Sequence, residues 1–116
     1  MQKTIFVSFL RAPVGSVYFV EGLRAAGGLV NSEDHHKVTV AFLGKGARCA
    51  MRGVDRSYAV KFLGLFPASS GKSFYVEEES LKEEGIDVSL LADEFAVASR
   101  KELGEMMRKA DICVSF

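Results

Sequence analysis

Cysteine is scarce in this chain: Cys49 and Cys113 are far apart, and neither stands in a CxxC or Cys/His spacing. That argues against a disulfide framework and against a zinc site. Charge of one sign is lacking too. Lys+Arg 15 and Asp+Glu 15 leave a formal net charge of +0, so no overall field draws the protein to nucleic acid or to an anionic membrane, while a neutral surface favours self-association. No apolar run approaches the roughly 18 residues that span a bilayer. Met1 to Lys3 lead directly into Thr4-Ile5-Phe6-Val7, without the charged n-region, long apolar core and small-residue cleavage site of a secretory leader. These absences together point to a cytoplasmic protein with reduced thiols, no membrane partner and no direct nucleic-acid partner.

What is present describes a folded domain. A length of 116 residues with 48% hydrophobic and 26% charged content suits one domain over 1–116 whose core needs no staple. Thr4 to Leu10 is a short, continuous branched and aromatic run, the pattern of a strand buried on both faces. Arg11-Ala12-Pro13-Val14-Gly15 marks a turn. Ser16 is placed to cap a helix to about Val30, with Val17, Val20, Leu23, Gly27 and Val30 on one stripe. Val38 to Leu43 repeats the strand pattern and stops at Gly44-Lys45-Gly46, before a helical turn from Ala47 to about Arg52.

Asp55 or Ser57 can cap a further helix over 58–66, whose apolar faces exceed what one core needs and predict burial at two sides or a subunit contact. Ser73 to Val76 reads as a third strand. It leads into Glu77-Glu78-Glu79, acids suited to a helix N-terminus, with Gly85 as terminator. Phe95 to Ala98 is a fourth strand, Ser99 and Glu102 form a capping box for a helix through Lys109, and Ile112 to Phe116 is the fifth. Strands alternating with helices predict a three-layer α/β/α sandwich with a five-stranded, mostly parallel sheet.

Several segments in this order resemble DsrF-type (TusC-like) members of the DsrE/DsrF family. They are Arg11 to Gly15 with Glu21-Gly22-Leu23, Lys61-Phe62-Leu63-Gly64-Leu65-Phe66, Ser80-Leu81-Lys82-Glu83-Glu84-Gly85-Ile86-Asp87 and Ala110-Asp111-Ile112-Cys113-Val114-Ser115-Phe116. The resemblance runs nearly end to end. It implies an α/β subunit of a homo- or hetero-oligomeric trimer or hexamer with DsrE-like subunits. Such a complex passes sulfane sulfur between cysteines and a sulfur-carrier protein, in sulfur oxidation or tRNA thiolation. The family's acceptor cysteine follows the third strand, and matching the S-L-x-x-x-G segment puts Glu77 at or beside it. A carboxylate cannot carry a persulfide, so the resemblance implies a subunit that is not catalytic by itself. It implies no cofactor.

Other residues read from their neighbours. Cys49, between Arg48 and Arg52 near the end of the second strand, is the candidate thiol of an alternative sulfurtransferase, because nearby cations favour thiolate. Cys113 alternates in the last strand and reads as core packing. Arg11, Gly15, Lys45 and Gly46 at the carboxyl edges of the first two strands could bind a small anionic ligand, a third alternative. Ser70-Gly71-Lys72-Ser73 ends like a P-loop, but it has Phe66 where the first glycine belongs and precedes a strand, so phosphate cradling is not expected and Lys72 reads as a solvated loop residue. His35 and His36 point apart as neighbours and make no metal site within the chain.

Overall fold

The structure is a computed structural model, and it describes residues 1–15, 17–57, 65, 66 and 68–116. Its five strands are β1 (Thr4–Phe9), β2 (Lys37–Phe42), β3 (Phe74–Glu77), β4 (Phe95–Ala98) and β5 (Ile112–Ser115). They form one sheet in the order β4-β3-β2-β1-β5. All four pairings are parallel, so the sheet is uniformly parallel where a mostly parallel one was expected.

The layers follow from the order of crossovers. From β1 to β4 each connection adds a strand on the same side, and right-handed crossovers then place the intervening helices on one face. The larger core lies there, where α1 (Tyr18–Val30), the 3₁₀ segment Gly44–Ala50 and α2 (Glu78–Glu83) cover the apolar strand residues. The connection from β4 to β5 runs the other way. It carries α3 (Arg100–Lys109) to the opposite face, where Leu103 packs on Phe6, Ala41 and Ala98. The sandwich has three layers, as expected.

Phe9, Phe42, Phe74 and Phe95, one from each of four adjacent strands, meet ring to ring in the larger core at centroid distances of 4.7, 5.7 and 5.3 Å in turn. Gly22 lets α1 come down on this row: a Cβ there would overlap the Phe9 ring and crowd Phe116. Local signals set several boundaries. Ser99 and Glu102 form the expected capping box. Gly85, at φ +68, ends α2 as expected: its N–H donates to the Lys82 carbonyl and that of Ile86 to the Leu81 carbonyl, the paired bonds of a Schellman motif.

Other expectations are corrected. Ser16 lies outside the described residues, and Val17 holds the N-cap position of α1. Val17 is 70% exposed, and Phe19 takes the buried place at the start of the stripe. The turn expected from Ala47 begins three residues earlier, at Gly44, as a 3₁₀ segment. Of the helix expected over 58–66, residues 58–64 lie outside the described residues. Phe66 is buried against Phe74. Asp55 accepts from the Ser57 N–H at 2.9 Å, as a capping residue does. No helix among the described residues is long and apolar enough to cross a membrane.

Candidate functional site at the carboxyl ends of β3 and β4

β3 and β4 are neighbours whose onward connections part to opposite faces, into α2 and into α3. A crevice outside the carboxyl ends of such strands is where parallel sheets commonly hold ligands. Glu77, the last residue of β3, stands at this point. Side chains alternate along a strand, so with Phe74 and Val76 in the larger core, Glu77 faces the α3 side.

Its side chain is 7% exposed, and one carboxylate oxygen takes two contacts. Oε1 accepts from Ser80 Oγ at 2.5 Å and from Arg100 Nη2 at 2.9 Å. The same Ser80 oxygen accepts the Gly44 N–H at 2.7 Å, so one hydroxyl links the turn after β2 to the end of β3. Arg100 also donates to Glu83 at 3.0 Å, and its backbone N–H donates to Glu79 at 2.9 Å. Glu79 is thereby held below the usual carboxylate range, chiefly by that backbone bond, while the hydrogen bonds that Arg100 donates to Glu77 and Glu83 push it above its usual value. Ion pairs thus join α3 to β3 and α2, and the Ser80 hydroxyl adds the turn after β2 to the same cluster.

Glu77 was expected to serve the start of α2. It occupies the N-cap position, but its side chain makes no capping bond and turns to Arg100. The acids of the first turn are Glu78 and Glu79. Arg100 was not singled out in the sequence, and Ser80 entered only as the first residue of the S-L-x-x-x-G segment. A signal did exist for Arg100: a cation at the first position of a helix opposes the helix dipole, so it calls for a tertiary carboxylate.

Cys49 is fully buried, and burial pushes its thiol up to about 12. The flanking arginines do not serve it. Arg48 pairs with Glu84 at 2.7 Å, and the cation near the thiol is Arg56, which donates to the Cys49 carbonyl at 2.8 Å. In this conformation Cys49 is neutral and enclosed. Cys113 is exposed, correcting the expectation of core packing, because β5 is an edge strand.

The residues proposed for an anionic ligand do not converge. Gly46 is buried so tightly that a Cβ would strike the Phe9 carbonyl, and its N–H is taken by the Leu43 carbonyl at 2.9 Å. Lys45 is exposed. Gly15 takes φ +79, and the Arg11 guanidinium lies 3.9 Å from the centre of the Tyr18 ring. Beside this loop is an open recess of about 370 Å³, with Pro13, Val14 and Phe19 on one bank and Gly53, Val54 and Asp55 on the other. Asp55 is the one charged residue among the described residues that line it. His36 Nδ1 accepts the Lys3 N–H at 3.0 Å, and no group of three or more His, Cys, Asp or Glu able to hold a metal occurs among the described residues. Lys72, expected to be solvated, is partly buried and donates to the Asp93 carbonyl at 2.6 Å.

Five parallel strands in this order, with α1, the 3₁₀ segment Gly44–Ala50 and α2 on one face and α3 on the other, define a small α/β domain of the DsrE-like fold. Solved structures similar to it include the ychN protein from E. coli, with a TM-score of 0.76 and 22% identity, and MTH1491, a protein of unknown function from Methanobacterium thermoautotrophicum, with a TM-score of 0.67 and 14% identity. Each likeness covers 100% of both chains. No protein-family model matches this chain, and no curated protein matches it at a significant level.

Proposed function

We propose that this chain is a DsrF-like, non-catalytic subunit of an oligomeric sulfur-relay complex, serving sulfur oxidation or tRNA thiolation beside a cysteine-bearing DsrE-like subunit. The observation that carries the reading is Glu77, clamped by Ser80 and Arg100 at the carboxyl end of β3, where the resemblance locates the acceptor thiol. Relay chemistry requires a thiolate to attack the sulfane sulfur of a donor persulfide. One S–S bond forms as the donor's breaks, and the donor thiolate leaves. Glu77 offers a carboxylate held by Ser80 and Arg100, and Cys49 offers a buried neutral thiol. The reading therefore assigns the chain to assembly, with the reacting cysteine on a partner.

The test is intact mass after incubation with a persulfide donor, comparing wild type, Cys49→Ser and Cys113→Ser, alone and with a DsrE-like subunit. The expected result is no DTT-reversible sulfur on Cys49, any uptake by this chain alone lost in Cys113→Ser, and sulfur on the partner's cysteine in a mixed complex. A reversible gain lost only in Cys49→Ser would replace this reading with a sulfurtransferase.

A further inference from the structure

We propose that Arg56 and Glu94 form a latch that keeps the turn 52–56 closed on Cys49, so that one ion pair sets the access of this buried thiol. Nothing in it depends on the relay reading, which makes no use of Cys49. The pair is largely enclosed: the Arg56 side chain is 10% exposed and that of Glu94 24%. Arg56 Nε donates to Glu94 at 2.6 Å, and Nη1 donates to the Cys49 carbonyl at 2.8 Å and to that of Met51 at 3.4 Å. The guanidinium also lies 5.2 Å from the centre of the Phe95 ring. One side chain thus binds the end of the 3₁₀ segment to the entry of β4.

The two ends of the pair differ in how firmly the chain holds them. Glu94 is fixed at the sheet, where its carbonyl accepts the N–H groups of Ser73 and Phe74, each at 2.9 Å. On the other side Arg52 donates its N–H to the Leu90 carbonyl at 2.9 Å, but Arg52, Gly53 and Asp55 are exposed, and Val54 is only partly buried against the larger core. Segments with few buried apolar contacts open locally before the rest of a fold does. Here such a segment returns to a cysteine that is 0% exposed, whose Sγ meets the Arg11 carbonyl at 3.5 Å in the loop after β1. The guanidinium fork serves a carboxylate and two carbonyls at once, so weakening it leaves enclosed acceptors that are better satisfied by water once the turn opens. With the latch closed the chain offers solvent one thiol, Cys113; with it open, two.

The experiment is alkylation of the full chain by iodoacetamide, in which a thiolate displaces iodide, read at each cysteine by peptide mass across a urea series below the unfolding transition. Wild type, Glu94→Gln and Arg56→Lys are compared, each with its own unfolding curve. Glu94→Gln removes only the charge of the carboxylate, and Arg56→Lys keeps the cation but loses the fork. Cys49 should react about tenfold faster or more in both variants than in wild type, at a rate nearly flat in urea, because a local opening exposes little surface. Cys113 should react at the same rate in all three. Should Arg56→Lys fail to fold, Glu94→Gln decides the matter. Cys49 reactivity unchanged in either folded variant overturns the proposal. So does a gain that climbs with urea in step with global unfolding, since the thiol would then be reached only through loss of the whole fold.

Discussion

Arg100 reaches from the first residue of α3 to Glu77 at the end of β3, 23 positions earlier, and closes at 2.9 Å on a carboxylate that is otherwise buried. Removing one member of such a pair leaves the other uncompensated, which costs more than the pair's net worth.

Arg100→Ala should therefore lower stability to urea, with the loss reduced because the guanidinium is more than half exposed and screened. Glu77→Gln, which keeps both hydrogen bonds, should cost less than about 1 kcal/mol. Equal losses in the two variants would contradict this account of the pair.

Acid should weaken the same corner of the fold. The pKa of Glu79 is lowered by the Arg100 N–H, so its folded value lies below its unfolded one. Its contribution is complete above the ordinary carboxylate range and is lost as pH falls through the lowered value. The acid limb of Tm against pH should be shallower in Glu79→Gln than in wild type, and a superimposable limb would remove this carboxylate from the account.

Alkali acts through Cys49 with the opposite sign. Its pKa rises from 9.0 to about 12 on folding, so the proton it retains stabilises the fold below pH 9.0, and that contribution drains as pH climbs toward about 12. Cys49→Ala should be less sensitive than wild type across this window, although less stable at neutral pH through lost packing. Native protein should react with a thiol reagent at Cys113 well before Cys49. Early modification of Cys49 would contradict its burial.

Two glycines of one helix should answer alanine in opposite ways. Gly22→Ala forces a methyl into the Phe9 ring and should destabilise by about 1–3 kcal/mol. Gly28, which has nothing within 4 Å of an added Cβ, should gain about 0.5–1 kcal/mol from its alanine. Chemical denaturation of the two variants compares them directly.

The features legible in the sequence are those decided within a few residues. The capping box at Ser99 and Glu102 and the glycine stop at Gly85 depend on bonds between near neighbours, and the branched runs of β1 and β2 carry their own burial. Strand order does not. Cys113 alternates with apolar residues as a core cysteine would, and only the placement of β5 at the sheet edge exposes it. Arg56 displaced Arg48 and Arg52 as the neighbour of Cys49 because the turn after the 3₁₀ segment brings it back over that carbonyl. The clamp on Glu77 was legible only in part for the same reason: its partners Ser80 and Arg100 lie on α2 and α3, and the approach of those helices is set by the sheet.

The return of β5 to the far edge has a consequence for the order of assembly. β1 meets β2 across 33 positions but meets β5 across 107, where Ser8 and Ser115 pair their hydroxyls at 2.9 Å. Closing the longer loop costs about 1 kcal/mol more in chain entropy than closing the shorter one. The four strands from β1 to β4 can add one after another to a growing edge, whereas the last must wait for a surface that the others have already made. A folding chain would thus pass through a four-stranded sheet with one side of β1 still open, the side most exposed to pairing with a wrong strand.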